Sequence, residues 1–135
     1  MSNLGIPVLA ISADTGEGLD GLRTAMGELL PDADEMAVML DLAQEFHFKI
    51  AAFHHGVEAY KIADRLAQEG VCGALWADWW GFKLEAYDGI WENLAYVDAP
   101  KDGCAIVHSD SDEGIQRLNQ EAAKAMSRGQ RAGLD

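Results

Sequence analysis

From Phe48 to Gly129 short apolar runs alternate with longer segments in which apolar residues recur every three or four positions. The runs at about 48–54, 71–77 and 103–109 predict buried strands, and the segments at about 57–69, 84–97 and 112–128 predict helices, the first closed by Gly70 and the last by Gly129. Strands alternating with helices of this length imply right-handed crossovers and a parallel sheet covered by helices. Ahead of this series, Ile6-Pro7-Val8-Leu9-Ala10-Ile11 predicts another strand, and Asp14 with Glu17 forms a capping box for a helix that ends at Pro31. A second helix follows at once, capped by Asp32 or Asp34, with Met36, Met39, Leu40, Ala43 and Phe46 on one apolar stripe before His47. Two helices in succession break the alternation and mark a seam near residues 31–33. The chain therefore reads as a single α/β unit over residues 1–135, about four parallel strands and five helices, with a frayed tail at 130–135.

At 135 residues the chain can build one modest core, well short of the roughly 250 residues of a complete eight-unit α/β barrel. Lys and Arg number 10 against 23 Asp and Glu, a formal net charge of −13. Such a field repels nucleic acid and anionic membranes, so neither is an expected partner, and it suits a metal ion or a small uncharged or cationic molecule. The same acidity also serves solubility. Cys72 and Cys104 each fall near the start of a predicted strand, where small reduced thiols pack well, and no disulfide is expected. With no apolar run near the ~20 residues of a membrane span and no basic leader after Met1, the cytoplasm is the expected compartment.

Three strands stop at chemistry. They end in Phe53-His54-His55-Gly56, in Trp76-Ala77-Asp78-Trp79-Trp80 and in His108-Ser109-Asp110. In parallel sheets the C-terminal strand ends form the rim where ligands and metals sit. His55 suits a ligand role there, or that of a hydrogen-bonded structural residue. His54, by strand alternation, is expected on the opposite face beneath a helix. His108 and Asp110 are two apart and share a face, so the imidazole could support the carboxylate, and Asp110 could also cap the helix that starts near Ser111. Trp76, Trp79 and Trp80, with Asp78 as a polar contact, could line a pocket or belong to core and interface. Lys61 and Lys83 read as solvated.

Two family resemblances meet at Pro31. Residues 4–31, with Ser12-Ala13-Asp14, resemble the last strand, guanine-contacting loop and last helix of a small GTPase domain, yet no Gly-x-x-x-x-Gly-Lys-[Ser/Thr] loop is present to hold phosphates. A generic strand, turn and helix is the better reading of that piece. Residues 33–129 resemble the C-terminal part of imidazolonepropionase-like amidohydrolases, through Ala33-Asp34-Glu35-Met36, Phe53 to Ile62, Trp76 to Ile90, His108-Ser109-Asp110 and Gln116 to Ala123. That resemblance implies a partial (β/α)8 barrel containing the sixth, seventh and eighth strands, and metal-dependent hydrolysis of a C–N bond in an amide or cyclic amide. It implies a divalent metal, zinc foremost. His55 would bind a metal or hydrogen-bond the attacking water, and Asp110 would touch the metal and take the proton from its water. Trp79, Asp78 and His108 would face substrate.

The family's His-x-His pair and fifth-strand histidine have no counterpart, since the only histidines are His47, His54, His55 and His108. Two carried-over metal residues fall short of the three protein ligands of an ordinary catalytic zinc. Self-association or a second chain completing the barrel would supply the rest. A non-catalytic module that binds a partner or ligand, and a rearranged gene remnant, are the alternative readings.

Overall fold

A computed structural model describes residues 32–78, 80–81, 84–109 and 111–134. Asp32 is extended and accepts a hydrogen bond from the Glu35 N–H at 2.8 Å, capping helix α1, Ala33–Glu45, whose first turn also carries Asp34 and Glu35 against the positive end of the helix dipole. Met36, Leu40 and Ala43 bury one stripe of α1, and His47 then turns left-handed at φ 55°. Strand β1, Ala52–His54, leads through a 3-10 turn at Ala59–Ile62 into α2, Ala63–Glu69, which Gly70 ends at φ 67°. Strand β2, Cys72–Leu75, is followed by a 3-10 turn at Leu84–Ala86 and by α3, Asn93–Asp98. Strand β3, Ala105–Val107, precedes the short α4, Asp112–Ile115, and the long α5, Leu118–Ala132.

The three strands form a parallel sheet in the order β1-β2-β3, with Phe53 beside Gly73 and Gly73 beside Ala105. That row faces the helices. Phe53, Leu66, Leu75, Leu94, Val97 and Ala125 join Met36 and Leu40 in one apolar core. Burial of this kind is the main stabilising term, about 1.5–3 kcal/mol for each large side chain taken fully from water. A Cβ at Gly73 would come within 3.3 Å of a Val97 methyl, so the bare backbone there is what lets α3 lie close on the central strand.

The opposite sheet face carries the alternate residues: Ala52, Cys72 and Cys104 in one row, then His54, Ala74 and Ile106 in the next. Ile106 keeps 46% of its surface exposed in mid-strand, so none of the described helices covers this face at β3. Along this face Cys72, at the start of β2, and Cys104, just ahead of β3, stand side by side, Cα to Cα 4.6 Å, and they are joined as a disulfide. The expectation of two reduced thiols is thereby corrected. Spacing along the chain carries no sign of pairing, whereas the parallel register places the two sulfurs in reach. The pairing also removes the thiol argument for a reducing compartment. No helix among the described residues is long and apolar enough to cross a membrane.

Other differences from the periodicity are local. The helix expected over 84–97 divides into a 3-10 turn and α3, and the one over 112–128 into α4 and α5. Ser111 supplies a side-chain cap of α4, accepting from the Gly114 N–H at 2.7 Å. Helix α5 runs past Gly129 and ends at Gly133, φ 80°, so residues 130–132 are helical rather than frayed. Gly129 is instead a packing residue: a Cβ there would lie 2.6 Å from the Ala95 Cβ, and its absence lets α5 and α3 cross closely. The first predicted strand and helix, the seam and the GTPase-like segment fall outside the described residues, and the sheet that is described has three strands.

Candidate metal centre

The carboxyl ends of β1, β2 and β3 bring His54, His55, Trp76 and His108 together. His54 is the last residue of β1, and its side chain belongs to the row of Ala74 and Ile106. Ala74 has only a methyl group, which leaves the space above β2 open for rings from both flanking strands. His108 lies two residues beyond Ile106 on the same face and is fixed by its N–H donating to Leu75 O at 2.8 Å. The His54 and His108 ring centres are 5.0 Å apart at 89°.

His55 reaches the same cluster by a different route. Its N–H still donates to Ala74 O at 3.0 Å, but its φ of 61° is left-handed, and the Val57 N–H closes back on His55 O at 2.7 Å. A non-glycine residue at positive φ costs of order 1 kcal/mol or more, and the turn breaks strand alternation. Two consecutive histidines consequently reach one rim. His55 stands edge-on to His108 at 5.0 Å and to Trp76 at 5.0 Å, and Trp76 lies roughly parallel to His108 at 6.1 Å. The placement of His54 beneath a helix is therefore corrected: Phe53 takes that position, and His54 is exposed at the rim.

One coordinating nitrogen from each of His54, His55 and His108 lies within 4.8 Å of the other two. Three imidazoles form a nitrogen-only donor set that suits zinc and its first-row neighbours, and poorly suits calcium or magnesium. The residues present thus fit the metal that the amidohydrolase resemblance implies. Asp110 and Trp79 lie outside the described residues.

Asp78 is ion-paired at half-exposed positions with Lys124 of α5, which also reaches Glu121 at 2.9 Å. The Asp78 carboxylate, and then that of Glu121, raise the Lys124 pKa. Trp76 and Ala77 are buried, while Trp80 is exposed and donates from its indole to Tyr87 O at 2.8 Å. Trp76 therefore forms a wall of the site, and Trp80 belongs to the neighbouring loop. Lys61, expected to be merely solvated, bridges Glu58 at 2.9 Å and Asp88 at 3.0 Å.

Two buried polar residues position the rim, and neither was singled out from the sequence. Asn93, 3% exposed, accepts from the Tyr60 N–H at 2.9 Å and donates to Gly56 O at 2.9 Å and Val57 O at 3.1 Å, clamping the loop that follows His55. Glu121, 7% exposed, accepts from the Ala77 N–H at 3.1 Å and so ties α5 to the end of β2. Each does leave a trace in the pattern. Asn93 shares a helix face with Val97, and Glu121 shares one with Ala125 and Gly129, so both are polar interruptions of an apolar stripe.

The class is that of a parallel α/β sheet with an imidazole cluster at its carboxyl rim, and a solved structure shows its fold to be amidohydrolase-like. The structure is similar to a crystal structure of an amidohydrolase from Thermotoga maritima MSB8, with 29% identity, a TM-score of 0.58, and coverage of 71% of this chain and 25% of that one. The chain thus spans about a quarter of the length of the protein it matches. No family model and no curated protein matches the chain. The GTPase-like reading of residues 4–31 finds no support in these comparisons.

Proposed function

We propose that the chain carries the carboxyl-rim part of a metal-dependent hydrolase that cleaves a C–N bond in an amide or cyclic amide. The observation that carries this reading is the convergence of His54, His55 and His108 at the carboxyl rim of an amidohydrolase-like sheet. A bound divalent metal supplies a Lewis acid and a hydroxide near neutral pH. His55 and His108 would hold it, braced by Trp76, which meets His55 edge-on and lies roughly parallel to His108. Asp110, carried over from the family pattern, is the carboxylate that accepts the proton of the attacking water and returns it to the leaving nitrogen. Asp78, held by Lys124, and Trp79 are the residues proposed to contact substrate. The test is hydrolysis of a panel of simple amides and lactams by zinc-loaded protein, with chelator-treated protein and His55→Ala as controls. Turnover that needs both metal and His55 is expected, and a folded, zinc-loaded chain with no turnover on any of them refutes the reading.

One observation favours a second reading, in which the chain works only with another chain seated on the sheet face that the described helices leave uncovered. Ile106 is an apolar residue left 46% exposed in mid-strand on the sheet face that none of the described helices covers, and a partner seated there would take it from water. Light scattering decides it, since a strictly monomeric chain at working concentration would remove this alternative.

A further inference from the structure

We infer that His54 is itself a metal ligand, so that His54, His55 and His108 form a self-sufficient three-imidazole site for one zinc-like cation. The family pattern assigns the metal to His55 and Asp110, and alternation along β1 had set His54 aside. The geometry points elsewhere.

A tetrahedral zinc with Zn–N near 2.05 Å needs its nitrogens about 3.3 Å apart. The three nitrogens here already lie within 4.8 Å of one another, so each ring closes the gap by moving less than about 1 Å. Such a shift is within reach of modest side-chain torsion, and His54 is exposed, its ring contacts being with His55 and His108 themselves. The rings meet edge to face rather than stacked, at 88° and 89° for His55–His108 and His54–His108. The left-handed backbone at His55 is a second, separate observation. That φ of 61° is the conformation glycine adopts most cheaply, yet a histidine occupies it, and the strain places a third imidazole where alternation would have sent it away.

Three protein nitrogens would match the ligand count of an open zinc site, which keeps a position for water. The missing first-strand pair and fifth-strand histidine then cease to be an obstacle to holding a metal. This inference rests on the side-chain geometry and not on the hydrolytic reading, because a metal can be bound without turnover.

The experiment is titration of the intact chain with cobalt(II) and zinc(II), read by cobalt visible absorption and by zinc competition against a chromogenic chelator. One cation per chain is expected. His54→Ala, His55→Gly and His108→Ala should each weaken binding by about tenfold or more. His55→Gly is the informative variant for folding, since glycine relieves the positive φ and the chain should unfold no more readily than the parent apart from the lost ring contacts. Affinity in His54→Ala within about threefold of the parent overturns the inference, as does failure to bind one cation. Loss of binding in Asp110→Asn with His54→Ala unchanged overturns it in favour of the family pattern. Tight cobalt binding that depends on His54, with no hydrolysis of any amide, upholds this site and removes the hydrolase reading alone.

Discussion

Replacing Asn93 by Ala tests whether the rim is held by the loop that follows it. The side chain makes three hydrogen bonds to main-chain groups of residues 56–60, and the substitution leaves the Tyr60 N–H and the Val57 carbonyl without their partner, while Gly56 O keeps the Ala59 N–H. At a site 3% exposed water enters only after local opening, so each of the two orphaned groups costs about 1 kcal/mol or somewhat more, and with the lost bond to Gly56 O the total is about 2–3 kcal/mol. For a chain of this size roughly 1 kcal/mol shifts the thermal midpoint by about 3–5 °C, which puts the midpoint of Asn93→Ala about 10 °C lower. The Val57 N–H is bonded to His55 O, so loosening residues 56–60 also loosens His55, and cobalt affinity should fall by about tenfold. Asn93→Asp keeps the acceptor for Tyr60 but turns a carboxylate oxygen toward two carbonyl oxygens, and it should be at least as damaging. Urea unfolding, differential scanning calorimetry and the cobalt titration measure these effects. Stability within about 0.5 kcal/mol of the parent together with unchanged cobalt affinity would refute the clamp.

Reducing the disulfide, or replacing both Cys72 and Cys104 by Ala, opens a 32-residue separation and should cost about 3 kcal/mol, read as a lower urea midpoint; equal midpoints with and without reductant would contradict it. Gly129→Ala drives a methyl group to 2.6 Å from the Ala95 Cβ and should cost about 1–3 kcal/mol, with Ala95→Gly restoring most of the loss in the double variant. Ala74→Leu fills the gap between β1 and β3, and it should abolish the His54 contribution to cobalt binding while leaving the helical signal intact. The Lys61 pKa is raised by the Glu58 and then the Asp88 carboxylates, so its contribution is fully present below the unfolded value near 10.4 and is lost as pH rises through the folded one. The Asp88 pKa is lowered by Lys61, so its contribution holds above the unfolded value near 3.9 and is lost as pH falls through the folded one. Both groups are solvated, so Lys61→Met should change stability little at neutral pH and flatten its fall at alkaline pH; an unchanged alkaline slope would count against the bridge.

Much of the fold was legible along the chain because its causes are local. The Asp32 cap, the Met36-Leu40-Ala43 stripe and the glycine stop at Gly70 are each set by residues within one or two turns, and the alternation of strand and helix follows from them. The carboxyl-rim position of His55 and His108 could be read in the same way, since it needs only the point where each apolar run stops. What the chain could not declare are features that depend on register across the sheet or on a single dihedral. The Cys72–Cys104 bond exists because β2 and β3 pair with Gly73 opposite Ala105. His54 joins the cluster because Ala74 leaves room between two strands, and His55 joins it because one φ turned positive. Periodicity assigns each residue to a face of its own element. Only the packing of elements against each other decides which faces meet, and whether the backbone bears the strain of bringing a third imidazole to them.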